Sequence, residues 1–147
     1  NIRAQAGVLM GLGDSPAAIT KTSRASPRVA VVAPPMDMTL LDGTTLIADN
    51  MDIAVRMISM GQPHRAVPLT GGMCLAAAAK LSGSLVHGLC RPDMGDDIRL
   101  GTPSGAIPIG AVVRNVVQSD SANFTVERIT TYRTARRLME GNVLLPT

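Results

Sequence analysis

A single alanine-rich segment near the middle of the chain, Gly71–Leu81, constrains the fold more than any other feature. Thr70 stands at the predicted N-cap of this helix, and Ser82-Gly83 is the step that ends it. Most other apolar runs are short, rich in β-branched residues and bounded by glycine or proline, which is typical of strands. The pattern therefore predicts one central helix surrounded by strands.

The strand-like runs lie on both sides of this helix and do not alternate with further helices. One peripheral helix is predicted over Ile2–Leu12, followed by a loop over Asp14–Ser26, and Asp42-Gly43 predicts a hairpin turn. This order of elements is typical of an α+β fold and not of alternating βαβ units. The predicted strands are Arg28–Ala33, Met38–Leu41, Thr44–Ala48, Asp52–Met60, Leu85–Gly88, Ile98–Leu100, Ala106–Val117, Phe124–Tyr132 and Val143–Leu145.

The composition limits what the chain can bind. Hydrophobic residues make up 46% of the chain, but aromatic residues only 1%, with no tryptophan. The apolar content excludes a disordered chain, and the scarcity of rings excludes a platform that stacks nucleobases. The net charge is only +3 and the arginines are dispersed, which suits small carboxylate ligands better than nucleic acid.

The sequence also predicts a cytoplasmic protein with no membrane span, cofactor or metal. Cys74 and Cys90 form no CxxC pair, no signal-like segment begins the chain, and no apolar run approaches about 18 residues. The spacing of His64, Cys74, His87 and Cys90 is not that of a zinc site, and no complete dinucleotide-binding glycine motif is present. The oligomeric state stays open, a homo-oligomer included.

The start of the central helix has two interpretations. The first N–H groups of a helix have no intrahelical partner, and its dipole favours an anion there, which Gly71 and Gly72 would let approach the backbone. Alternatively, the same glycines only bring the helix close to a sheet. The residues themselves leave both interpretations open.

His64 and Cys74 are expected to have ordinary structural roles when taken alone. His64, next to Arg65 and after Ser59, is expected to be a loop histidine rather than part of a cationic rim. Cys74 lies one turn inside the helix and is expected to be a small buried side chain rather than an activated thiol. Asp52 has nothing to fix its role, and no nucleophile elbow is present, so a Ser-His-Asp hydrolase is not predicted.

Several stretches, taken in order, resemble the C-terminal half of 2-methylaconitate cis-trans isomerase-like proteins, which belong to the diaminopimelate epimerase superfamily. The resemblance implies a curved β-sheet wrapped around one central helix, an α/β roll, in each of two related halves with the substrate between them. The matching stretches are VLMGLG (Val8–Gly13), RVAVVAPP (Arg28–Pro35), MDIAVRMISMGQPHRAVPLT (Met51–Thr70), TPSG (Thr102–Gly105) and TARRLMEG (Thr134–Gly141).

The resemblance also implies a set of substrate-binding residues. Ser59 and His64 match the motif of such residues, and Arg28 lies where the family often has a lysine that contacts a substrate carboxylate. Thr70 and Gly71 correspond to the helix start of the epimerases, which favours the anion-site interpretation above. We therefore expect these residues to bind substrate.

The resemblance favours the isomerase branch over the epimerases. The epimerases use paired cysteines, and the position of the second one is occupied here by Pro68. In the isomerase branch the proton-transfer residues lie in the N-terminal half. We therefore expect residues 1–147 to form a single domain, the C-terminal half of a two-domain enzyme, with no catalytic residue of its own.

The implied function is the substrate-binding half of a cofactor-independent isomerase, inactive alone. Its reaction would shift a double bond by 1,3-proton transfer in an unsaturated tricarboxylate of the 2-methylaconitate type. The alternatives are a 4-oxalomesaconate tautomerase and a non-catalytic anion-binding domain of the same fold. The expected partners are a small polycarboxylate and the N-terminal half of the same enzyme, and no nucleic acid or membrane.

Overall fold

The computed structural model describes residues 2–118 and 121–142, and its central element is one curled sheet with a helix against it. The predicted strand Val143–Leu145 lies outside the described residues. The helices are α1 (Ile2–Leu9), α2 (Pro16–Thr22), α3 (Leu69–Lys80) and α4 (Leu85–Leu89). The strands are β1 (Val29–Ala33), β2 (Met38–Thr39), β3 (Thr45–Leu46), β4 (Ile53–Ser59), β5 (Gln62–Pro63), β6 (Asp97–Thr102), β7 (Gly105–Gln118) and β8 (Ser121–Thr131).

The sheet has the strand order β1-β4-β6-β7-β8, and the short strand β5 pairs with β4. β4 and β6 are parallel and their connection contains α3 and α4, whereas the other neighbours in this sheet are antiparallel. The ladder of β7 and β8 shifts register between Val112 and Val113, an irregularity of the kind that bends a strand. β2 and β3 form a separate hairpin around the predicted turn, where Gly43 has a φ of 84°.

The core lies between α3 and one face of the sheet. Alternate residues of β4 point to this face, and Ile53, Val55 and Met57 are all buried there. A Cβ atom at Gly72 would come within 2.6 Å of Ile109 Cδ1 on β7, so a glycine is what lets α3 approach the strand closely. The close-packing interpretation of the helix start is thus confirmed for Gly72.

Helix α2 occupies the segment that the sequence predicts to be a loop, Asp14–Ser26, so that prediction is wrong. Ser15 caps the helix, because its Oγ accepts a hydrogen bond from the Ala18 N–H at 3.2 Å, and proline follows as the first helical residue. The helix packs back on α1 through the fully buried Ile19.

Helix α4 occupies the predicted strand Leu85–Gly88, which is also wrong. Ser84 Oγ accepts the His87 N–H at 3.0 Å and donates to the Ala78 carbonyl at 2.6 Å. These two bonds cap α4 and fasten it to the end of α3. Capping at Ser84 therefore outweighs the β propensity of a short apolar run.

An ion pair between a buried carboxylate and a partly exposed guanidinium joins the residue before β4 to β6. The Asp52 side chain is 1% exposed, and the Arg99 Nη2 atom lies 2.6 Å from its Oδ1 atom. The Arg99 backbone N–H also donates to Asp52 Oδ2 at 2.7 Å. Burial raises the pKa of the Asp52 carboxyl, but hydrogen bonds and charge from Arg99 outweigh burial, so the net pKa lies below its ordinary value.

Across the described ranges, no helix has the length and apolar content needed to span a lipid bilayer.

Candidate functional site

A cleft of about 460 Å³ lies between the end of α1, the start of β1 and one side of α3. Arg28, Thr70 and Gly71 all line it, so the structure brings together three of the expected substrate-binding residues. Among the residues that the structure describes, none of those lining the cleft is acidic. The remaining lining residues are Met10, Ser26, Pro27, Ala30, Met57, Cys74, Leu75 and Ala78.

Ser59 is related to Arg28 through the pairing of β1 with β4. The pairs Val29–Ile58 and Ala30–Met57 fix the register, and its continuation puts Arg28 level with Ser59. Side chains alternate along a strand, so Arg28 and Ser59 lie on the face that carries Ala30 and Met57. Arg28 is exposed and Ser59 partly buried. The register therefore places Arg28, which lines the cleft, and Ser59, which is not among the lining residues, on the same face of the sheet.

The first turn of α3 lines the same cleft as Arg28. The helix begins at Leu69, and its N-cap is Pro68, so the predicted N-cap at Thr70 is wrong. The helix begins earlier because the Gly72 N–H already bonds to the Pro68 carbonyl at 2.9 Å. In the described part of the chain no side chain caps this turn. Its N–H groups and the Thr70 hydroxyl are therefore donors suited to an anion.

His64 lies beside the cleft but its imidazole is not among the lining side chains. Its backbone N–H donates to the Met57 carbonyl at 2.7 Å, which fixes the loop against β4. The exposed imidazole accepts the Ala66 N–H at Nδ1, at 3.3 Å, so a neutral ring carries its proton on Nε2. The structure thus brings the backbone of His64 to the site and leaves the ring in its own loop.

The TPSG turn holds this loop in place. Ser104 Oγ donates to the Arg65 carbonyl at 2.7 Å, directly after His64. Thr102 Oγ1 donates to the Gly105 carbonyl at 2.8 Å and keeps the turn closed. The sequence alone does not predict this hydrogen bond, because Ser104 and the Arg65 carbonyl lie far apart in the chain.

Cys74 is exposed and lines the cleft, so the expectation of a buried thiol is wrong. The buried stripe of α3 consists of positions spaced three or four residues apart, and Cys74 falls between them. The stripe is defined by contacts with the sheet, because almost every position of α3 is small or apolar. The buried members of the stripe are Gly72, Leu75, Ala76 and Ala79.

We expect the two cysteines to differ in reactivity. Burial raises the pKa of the partly buried Cys90 to about 11, and the negative charge of Asp52 adds to this effect. Because the thiolate is the reactive form, iodoacetamide at pH 8 should label Cys74 at least about tenfold faster than Cys90. Mass spectrometry of peptides over time measures both rates. The variant Cys74→Ser should lose the fast phase, and equal labelling of both thiols would contradict this assignment.

Within the residues that the structure describes, no group of three or more His, Cys, Asp or Glu side chains is arranged to hold a metal ion. The chemistry of the cleft is that of a cationic guanidinium, hydroxyl groups and backbone N–H donors beside an apolar wall. Such donors bind carboxylates and stabilise negative charge that develops on them.

Known proteins resemble this chain along nearly its whole length. A family model described as PrpF protein matches residues 1–146. The chain is 36% identical over 121 residues to the 2-methyl-aconitate isomerase of Shewanella oneidensis, which covers 82% of the chain and 30% of that protein. It is 32% identical over 145 residues to the 3-methylitaconate isomerase of Eubacterium barkeri, which covers 97% of the chain and 36% of that protein.

A crystal structure of methylitaconate-delta-isomerase has the same fold, with a TM-score of 0.72 and 26% identity over 90% of this chain and 34% of that one. This match confirms the expected α+β fold, a diaminopimelate epimerase-like curved sheet around one central helix. The chain spans about a third of the length of the relatives that it matches. The family model and the identities agree, and the chain belongs to the PrpF protein family.

Proposed function

We propose that this chain is the substrate-binding part of a cofactor-independent isomerase that moves a double bond in an unsaturated tricarboxylate of the 2-methylaconitate type. The observation that carries the proposal is the convergence of Arg28 and the first turn of α3 on one cleft, with Ser59 on the same sheet face as Arg28. The lining residues there are cationic, polar or apolar, which suits an anion. The names of the isomerase relatives supply the class of reaction.

The proposed reaction is a 1,3-proton shift, in which a base removes a proton beside the double bond and an acid returns one at its far end. Its barrier lies in the carbanion, whose charge spreads onto the adjacent carboxylate. Arg28 and the N–H groups at the start of α3 would stabilise that enolate-like charge because they are positioned before the reaction begins. The Thr70 and Ser59 hydroxyls would orient the substrate carboxylates.

The groups that carry the proton are part of the proposal for the whole enzyme. We assign them to an N-terminal half outside residues 1–147, so that this chain is the C-terminal half of a two-domain enzyme. The relatives are about three times as long as the chain, which supports a further part of the enzyme outside residues 1–147. The two free thiols support a cytoplasmic location for the enzyme.

The test compares the 147-residue chain with a longer protein that contains it. We expect the chain alone to bind 2-methylaconitate, measured by calorimetry, and to catalyse no deuterium exchange into it above the buffer rate, measured by NMR in D₂O. The longer protein should catalyse that exchange. Exchange by the isolated chain would refute the division into halves.

Other outcomes of the same test would change the function. Exchange into 4-oxalomesaconate but not 2-methylaconitate would make the longer protein a tautomerase of that substrate. Binding without exchange by the longer protein would make it a non-catalytic anion-binding protein. Failure of both the chain and the longer protein to bind any tricarboxylate would refute the proposed site.

A further inference from the structure

The cleft extends along α3 well beyond its first turn. Gly71, Leu75 and Ala78 lie on one side of the helix, and all three line the cleft. With a rise of 1.5 Å per residue, Gly71 and Ala78 are about 10 Å apart along the helix axis. This length exceeds what a single carboxylate occupies, so part of the cleft is available to the rest of a ligand.

The two ends of the cleft differ in chemistry. β1 runs from the start of α3 towards α4 and contacts α4. Within the ladder of β1 and β4, Ala30 pairs with Met57, and both side chains face the helix. Met57 lies at Gly71, since a Cβ there would be 2.9 Å from Met57 Cε. Arg28 precedes Ala30 on the same face and therefore lies at the end where α3 begins.

The opposite end is apolar. Leu75 belongs to the hydrophobic core and lies one turn beyond Gly71. Ala78, one turn further along α3, completes this wall with only a methyl group. A ligand with carboxylates at Arg28 would thus place its other end against aliphatic side chains. The difference between the charged end and the apolar end therefore favours a ligand that carries an apolar group as well as carboxylates.

We propose that the Leu75–Ala78 wall receives an alkyl substituent of the bound acid and that Ala78 determines specificity for it. The inference rests on the proposed function, because it takes the polycarboxylate at Arg28 as given. Burial of one methyl group gains roughly fourfold in affinity. The chain therefore binds a methyl-substituted tricarboxylate about fourfold more tightly than its unsubstituted counterpart.

Ala78 is a position where this preference can be removed without disturbing the helix. Its carbonyl caps α4 through Ser84 and accepts the Leu81 N–H at 3.1 Å, and both bonds involve backbone atoms that a new side chain leaves in place. Leucine is a good helix former. In the Ala78→Leu variant the larger side chain fills the apolar end and leaves the charged end open.

The experiment measures the dissociation constants of 2-methyl-trans-aconitate and trans-aconitate by calorimetry, on the wild-type chain and its variants and on the longer protein with the same substitutions. Protection of Cys74 from iodoacetamide gives an independent value, because this thiol lies between the two ends of the cleft. Ala77→Leu is the matched control, because this substitution adds the same volume to α3 at a position that does not line the cleft. Ala78→Val is a smaller change in case the leucine variant does not fold.

We expect Ala78→Leu to abolish the fourfold preference for the methylated acid and to change the affinity for trans-aconitate by less than about twofold. Ala77→Leu should keep the wild-type preference. Equal preference in the Ala78 variants and the wild type, with both acids bound, would overturn the inference and leave the proposed function standing. If neither acid binds to the wild-type chain or to the longer protein, the proposed function fails and the inference fails with it.

Discussion

Replacement of Arg28 with alanine is expected to weaken the binding of tricarboxylates by about 10- to 100-fold. The guanidinium lines the cleft without an acidic side chain among the lining residues that the structure describes, so its charge is available to the ligand. A hydrogen bond between two charged groups contributes more than a neutral one, and an arginine can bind a carboxylate through two parallel bonds. Calorimetric titration with trans-aconitate at fixed ionic strength measures the loss.

Two further variants separate the role of Arg28 from a general loss of positive charge. Arg24→Ala removes an exposed charge from the same segment, outside the cleft, and should change the affinity by less than about twofold. Arg28→Lys keeps the charge without the planar fork and should fall between wild type and alanine. If Arg24→Ala and Arg28→Ala weaken binding equally, the ligand responds to net charge and Arg28 has no specific role.

The centre of the fold could be predicted because its signals are local. The helix over Gly71–Leu81 is one alanine-rich run, and its observed range, Leu69–Lys80, differs by a few residues. Helices α2 and α4 are too short to show a periodic apolar pattern. Their local signals are the capping serines Ser15 and Ser84, whereas the overall composition of the two segments, loop-like and strand-like respectively, predicts no helix.

The sequence names candidate site residues but does not show how they are arranged. Arg28 and Ser59 become neighbours only through the pairing of β1 with β4, which no local pattern encodes. The position of His64 illustrates the same limit, since its backbone is fixed at β4 while its ring turns into its own loop. The side of α3 on which Cys74 lies follows from the buried stripe, and that stripe is defined by contacts with the sheet.

The role of Asp52 is also invisible in the sequence, because its partner Arg99 comes from a different strand. We expect Asp52→Asn to lower the free energy of unfolding by about 2 kcal/mol at pH 7, since it removes the charge of a buried carboxylate that is hydrogen-bonded to a partly exposed guanidinium. Urea denaturation followed by circular dichroism measures this change. Asp49→Asn is the matched control, because Asp49 is 80% exposed in its pair with Arg91 and should cost less than about 1 kcal/mol.

The pH dependence tests the same pair independently. In the folded state the pKa of Asp52 lies below its ordinary value of 3.8, so the unfolded chain takes up this proton first as the pH falls. The contribution of the pair is therefore complete above about pH 5 and is lost as the pH falls through the folded-state pKa. The difference in unfolding free energy between wild type and Asp52→Asn should shrink steadily between pH 5 and the lowest pH at which both fold. A difference that stays constant over this range would mean that the variant disturbs packing and that the charge of Asp52 contributes nothing.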